Sequence, residues 1–182
     1  MKKKRLLLTL LTLLCFLGGA RAQSSTLTVY DGSDTKAYVP FYGLYADYGT
    51  RSQFIIPAEE IAAMNGGNIQ KLTFYSSTAS ASYDEKVTVY MKEVGYTSFA
   101  TATLEDWSSM TAVYTGTLSI SGNQLDINLT TSYPYGGGNL MIGFQVTDWG
   151  TECTSINWYG VNQDKNTALY NNASSSHTWT SS

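Results

Sequence analysis

Few side chains in this 182-residue chain have the types and spacing that catalysis requires. His177 is the only histidine and sits in a Ser-rich stretch. Neither a histidine-dependent triad nor a histidine-rich zinc site can be built from it. Two pairs of neighbouring carboxylates occur, Glu59/Glu60 and Glu105/Asp106. Adjacent residues on a helix point about 100° apart, so Glu59 and Glu60 read as complements to a helix N-terminus rather than as an acid/base couple. Distant carboxylates converging at about 5–9 Å are the one remaining route to a glycosidase pair. These residues predict a protein that is not an enzyme.

Cation binding has one candidate. Asp31-Gly-Ser-Asp34 gathers two carboxylates, a hydroxyl and backbone carbonyls in one short loop, the oxygen ligands that calcium prefers. Asp-Gly is also ordinary turn chemistry, because both residues tolerate left-handed φ. The turn is the simpler reading; a structural calcium on Asp31 and Asp34 is the alternative, and no other cofactor is implied.

Aromatic side chains carry the strongest suggestion of binding. Beyond residue 22 the chain keeps 14 Tyr, four Trp and five of its six Phe. Trp107 follows Glu105-Asp106, Trp149 adjoins Asp148 in Thr147-Asp-Trp-Gly150, and Tyr133-Pro-Tyr135 precedes three glycines. Rings on loops offer large rigid contact area at low entropy cost. If Leu72/Phe74 and Val87/Val89/Met91 face inward, Tyr75 and Tyr90 share an outward sheet face with Lys71, Thr73, Thr88 and Lys92. A sugar's axial C–H face can lie against such a ring while flanking polar groups bond its hydroxyls. Cross-strand stacking or a Lys–Tyr contact explains the same residues structurally.

The first 22 residues give an address. Lys2, Lys3, Lys4 and Arg5 precede the apolar run Leu6 to Leu17, and Ala20-Arg-Ala22 supplies the small residues of a signal-peptidase site. The run is too short to span a membrane and no second one follows. Residues 1–22 are predicted to be a signal peptide, with export and a chain starting at Gln23. Cys15 follows Leu14 rather than a small residue, which makes it a poor lipidation site. Cleavage takes away five of the 11 basic residues and none of the 14 acids, so six bases against 14 acids give a formal charge of −8 in place of −3. Nucleic acid and anionic lipid both need clustered Lys and Arg, so neither is an expected partner. Cys153 is the one cysteine beyond the leader. It reads as a buried small apolar residue, with an intermolecular disulfide as the alternative.

The elements that must position these residues are strands. Apolar residues alternate with polar ones at Leu27/Val29, Phe54/Ile56, Leu72/Phe74, Val87/Val89/Met91, Leu118/Ile120, Leu125/Ile127/Leu129, Leu140/Ile142/Phe144/Val146 and Ile156/Trp158. Gly122-Asn123 marks the cleanest hairpin turn. Pro57 to Asn65 breaks the period: proline at the first helical position, acids in the first turn and Asn65-Gly66 as a stop predict a short helix. Its Ile61 and Met64 would cap an open end of the core. The pattern predicts an all-β, two-layer antiparallel sandwich, jelly-roll-like, over 23–182 as a single domain with one short helix near 57–65. Leu140, Ile142, Phe144 and Val146 are expected as one buried stripe of a central strand, with Met141, Gly143 and Gln145 facing the other way.

The stretches Phe54 to Ile69, Leu72 to Tyr75, Val89 to Val94, Gly137 to Phe144 and Ile156 to Gly160 together resemble the β-sandwich modules of secreted, multi-domain surface proteins of the Bacteroidetes type, often found upstream of fibronectin type III-like repeats. The resemblance implies an exported, non-catalytic module of adhesin or carbohydrate-binding kind, whose partner is a glycan or a surface protein. It transfers no site residues, so the ligand-binding candidates are those read above: Trp107, Asp148, Trp149, Tyr133, Tyr135, Tyr75 and Tyr90. A structural spacer or assembly subunit without a soluble ligand is the competing role. Ala168-Leu-Tyr170 and Thr178-Trp-Thr180 look like strand material around an Asn/Ser-rich turn. They predict an N-terminal piece of a longer architecture, or a shortened relative of one, with a last strand that is short or absent and further modules of the same protein as neighbours; a complete single domain with a frayed tail is the alternative reading. Such a strand would leave an unpaired sheet edge.

Overall fold

The computed structural model describes residues 24–42, 49–151 and 156–173. The predicted leader, Cys153, His177 and the run Thr178-Trp-Thr180 lie outside the described residues. In chain order the strands are β1 (Asp34–Lys36), β2 (Thr50–Ile56), β3 (Asn68–Tyr75), β4 (Ser80–Ser82), β5 (Lys86–Val94), β6 (Thr111–Gly116), β7 (Ser119–Ser121), β8 (Gln124–Pro134), β9 (Asn139–Asp148), β10 (Trp158–Gly160) and β11 (Ala168–Asn172). They form a five-stranded sheet ordered β11-β2-β9-β5-β6, a four-stranded sheet ordered β3-β8-β7-β4, and a two-stranded ladder of β1 with β10. Every pairing is antiparallel. β2 pairs β9 in the larger sheet and β3 pairs β8 in the smaller, so a two-strand ribbon folds over from one layer to the other. That ribbon is the jelly-roll feature of an all-β sandwich.

Period-2 alternation explains the interior. Val87, Val89 and Met91 of β5, Ile120 of β7, and Leu125 and Ile127 of β8 are all buried in one cluster. Leu140, Ile142, Phe144 and Val146 of the central strand β9 join them as a single stripe, as expected. Each such side chain contributes about 1.5–3 kcal/mol on full burial. The middle of the core is aromatic. Phe41 meets Tyr83 edge-on at 5.1 Å, and Phe74 meets Phe144 at 5.6 Å. Trp158 is buried too, and its indole N–H donates to the Phe41 carbonyl at 2.9 Å, which satisfies the one polar atom of the ring. Gly122 and Asn123 adopt φ of 61° and 66° in the β7–β8 turn, the left-handed pair that the sequence required.

The short helix expected near 57–65 is present as Ala58–Met64; it is 3₁₀ and kinked at Ile61 (φ −122°), with Pro57 as its cap rather than its first residue. Glu60 N–H to Pro57 O and Asn65 N–H to Ala62 O are i→i+3 bonds, so each half closes as a separate tight turn. The kink still delivers Ile61 to the core, with Met64 packed against it. Leu27 and Val29 belong to no strand, although Val29 packs on the core.

The outer face of the larger sheet is not wetted as strand alternation alone implies. Met141 and Gly143 do face away from the main core, but Met141 is fully buried. It shares a second apolar cluster with Ile55, Phe99 and Met110, against which Tyr90, Trp107 and Leu169 pack. The connection from β5 to β6 folds back over the sheet and supplies this cover. Gln53 clamps it: its amide N–H donates to Glu105 O at 3.0 Å and its amide oxygen accepts from Glu105 N–H at 2.7 Å. Lys92 adds bonds to Glu105 Oε2 and Ser109 Oγ at 3.2 and 3.0 Å.

Candidate functional site

The loop aromatics singled out from sequence do not converge. Trp107 lies over Gly143, where an added Cβ would come within 2.6 Å of its ring, and its centroid is 5.1 Å from that of Tyr90. Trp149 lies against Gly49 and packs on the main core. Tyr133 and Tyr135 are buried, with the Tyr135 hydroxyl donating to Gly138 O at 2.7 Å. Tyr133 and Tyr135 precede the ten-residue β9, and Trp149 follows it. They therefore lie at opposite ends of a strand about 33 Å long. Glu93 fixes the glycine loop after Tyr135, accepting from Gly136 N–H and Gly138 N–H at 2.7 and 2.6 Å. Asp148 is exposed and pairs with Lys86 at 2.8 Å.

Asp31 is exposed, and the Asp34 carboxylate accepts from the Asn162 backbone N–H at 3.0 Å. Among the described residues no three His, Cys, Asp or Glu side chains come together to hold a metal ion.

Tyr75 and Tyr90 do not share a face. β3 belongs to the smaller sheet and β5 to the larger, so the two side chains point to opposite outsides of the sandwich. Tyr90 is covered by Trp107; Tyr75 is bare. The structure gives Tyr75 a different neighbour. An antiparallel bridge joins Ser76 to Trp158, extended by Ser77 N–H to Asn157 O at 2.9 Å. That register sets Tyr75 opposite Tyr159. Ser76 and Trp158 are buried inward, so the two tyrosines project outward from opposed positions of neighbouring strands. At 51% and 46% exposure they are the two most exposed of the large apolar and aromatic residues described.

A polar group flanks the pair on the same face. Asp126 of β8 accepts from Lys71 Nζ at 2.9 Å, Thr73 Oγ1 at 2.8 Å and Gln124 Nε2 at 2.7 Å. Gln124 is registered with Tyr75, and Thr35 of β1 with Tyr159. One row across the face thus reads Thr35, Tyr159, Tyr75, Gln124. The Lys71 ammonium above all, with Gln124 and Thr73, holds the Asp126 carboxyl below the usual range. The hub keeps spare capacity: further Lys71 and Gln124 N–H groups, the Gln124 carbonyl and the Thr73 lone pairs.

Sequence reasoning missed Tyr159. The inward assignment of Ile156 and Trp158 implied that Tyr159 faces out, but its juxtaposition with Tyr75 depends on a pairing 84 positions away in sequence. No known family model, curated protein or solved structure matches this chain.

Proposed function

We propose that this chain is an exported, non-catalytic recognition module of a surface protein, and that it takes its ligand on the outer face of the smaller sheet. The observation that carries the reading is the exposure of Tyr75 and Tyr159 at opposed positions of neighbouring strands. Tyr75 and Tyr159 are the most exposed of the described aromatic residues, and two rings left in water on neighbouring strands form a surface suited to contact. The basic n-region, apolar run and Ala20-Arg-Ala22 site support export. The non-catalytic part draws on the carboxylates: Glu93, Glu105, Asp84 and Asp148 are each tied to a structural partner. Resemblance to Bacteroidetes-type surface modules points the same way.

The test is a solid-phase binding panel of immobilised glycans and extracellular matrix proteins, probed with the purified protein and a Tyr75→Ala/Tyr159→Ala double variant. Binding to at least one panel member should fall on substitution while the fold is retained. Equal binding by both proteins to every member would refute the face assignment. A second role, assembly subunit, is favoured by the dispersal of Trp107, Trp149, Tyr133 and Tyr135 into packing positions and by β11 lying at a sheet edge. Self-association with an empty panel would select it.

A further inference from the structure

We infer that the ligand of this face is an uncharged pyranose chain, bound with its flat C–H faces on Tyr75 and Tyr159 and its hydroxyls on the Asp126 hub. The inference rests on the binding-face reading above. Tyr75 and Tyr159 offer two exposed ring faces at opposed positions of neighbouring strands, and a pyranose with equatorial substituents presents a flat C–H face to each. What lies beside the rings decides the class. Lys71 is the one cation in the flanking group, and its charge is matched at 2.9 Å by Asp126. An anionic sugar, carrying carboxylate or sulfate, would meet in Lys71 a cation whose charge Asp126 already neutralises, and would gain little from the ion pair. It would also approach a chain whose charge beyond residue 22 is −8, with six bases against 14 acids, and long-range repulsion opposes that approach.

Hydroxyls meet no such obstacle. Each is both donor and acceptor, and the hub offers both: N–H groups on Lys71 and Gln124, acceptor oxygens on Gln124, Thr73 and Asp126. Because Thr73, Gln124 and Lys71 already converge on Asp126, the polar edge is held in place before a ligand arrives. A protein ligand is less well matched, since the face offers two rings rimmed by polar side chains rather than the broad apolar core that stable protein interfaces need.

Titration calorimetry on the purified full chain tests this with two arms. Xylo-, cello- and chito-hexasaccharides form the neutral arm; oligogalacturonate and heparin fragments form the anionic arm. At least one neutral hexasaccharide should bind, about tenfold more weakly to Tyr75→Ala and to Tyr159→Ala, since ~1.4 kcal/mol per lost stacking contact is a factor of ten. Both variants should keep the wild-type melt, which separates lost contact from lost fold. Binding in the anionic arm alone, abolished by Lys71→Gln, would overturn the uncharged class and leave the face standing. An empty neutral arm overturns the inference, and the solid-phase panel then judges the face by itself. Neutral binding unchanged in both tyrosine variants sinks inference and face together.

Discussion

The two outer faces of this sandwich are built by the same alternation and end in opposite states. On the larger sheet the outward residues include Ile55 and Met141, and the β5–β6 connection covers them with Phe99, Trp107 and Met110. On the smaller sheet the outward residues are Lys71, Thr73, Gln124 and Asp126, and no described segment buries Tyr75 or Tyr159. Polarity at the outward positions decides which face needs a cover. A sheet with aliphatic residues on both sides becomes the middle of three layers. One with polar residues on its outside stays open, and large rings left there are available for contact.

The most severe way to break the comparison is to remove what both faces depend on. Ile142 sits in the β9 stripe between the layers and is 1% exposed. Aspartate there would bury an unpaired carboxylate at several kcal/mol, against a net stability of about 5–15 kcal/mol for an ordinary domain. Ile142→Asp should abolish the cooperative melt followed by circular dichroism. A wild-type melt would show that the stripe is misassigned. Next in size is the roofed face itself. Met141→Ala should cost about 2–5 kcal/mol in urea denaturation, because the fully buried side chain leaves a cavity between sheet and cover. A loss below about 0.5 kcal/mol, ordinary for surface positions, would mean that the cover does not pack.

The contrast extends to two carboxylates. Asp126 on the open face is held below its usual range by Lys71 first of all. Glu85, just before β5, is buried with both oxygens unpartnered, and burial, followed by the neighbouring Asp84 charge, pushes it up to about 8. The signs are opposite. Asp126 contributes stability that is present above the unfolded carboxylate range and lost as pH falls through its lowered value. Glu85 contributes stability that is complete below its unfolded value of 4.5 and lost as pH rises through about 8. The charge that acts on it is Asp84, whose two oxygens are locked by Thr151 at 2.9 Å. Glu85→Gln should therefore flatten the decline in melting temperature between pH 5 and pH 9, estimated at about one titrating proton. An unchanged decline would assign it to other groups.

The sequence made some of this legible and hid the rest for physical reasons. The β9 stripe, the Gly122-Asn123 turn and the sandwich class follow from local periodicity and φ requirements, which a reader of the chain can see. The short helix near 57–65 was legible from its proline and acids, which favour any helical start, whereas its 3₁₀ form and the kink at Ile61 were not. The cover over Met141 was invisible, since residues 95–110 carry no period of their own. The candidate site was half legible: Tyr75 was found, but assigned to the face of Tyr90. Strand alternation tells inside from outside and does not tell which sheet a strand joins.

That error sets up the smallest and sharpest test. Tyr75 and Tyr90 look alike in sequence, each a tyrosine one step out of register with an inward apolar residue. Tyr90 is half-buried with its ring 5.1 Å from Trp107. Tyr75 is half exposed to water and its nearest registered partners are Gln124 and Tyr159. Tyr75→Ala removes a ring that shields little, and a surface substitution away from caps and buried groups changes stability by no more than about 0.5 kcal/mol. It should therefore leave the urea midpoint essentially in place. Tyr90→Ala strips a side chain from beneath Trp107 and should lower the midpoint measurably, by the area it buries and the ring pair it ends. Equal shifts in the two variants would contradict the difference between an open and a covered face. A large shift in Tyr75→Ala alone would mean that this ring holds the fold together, and its exposure would no longer point to a ligand.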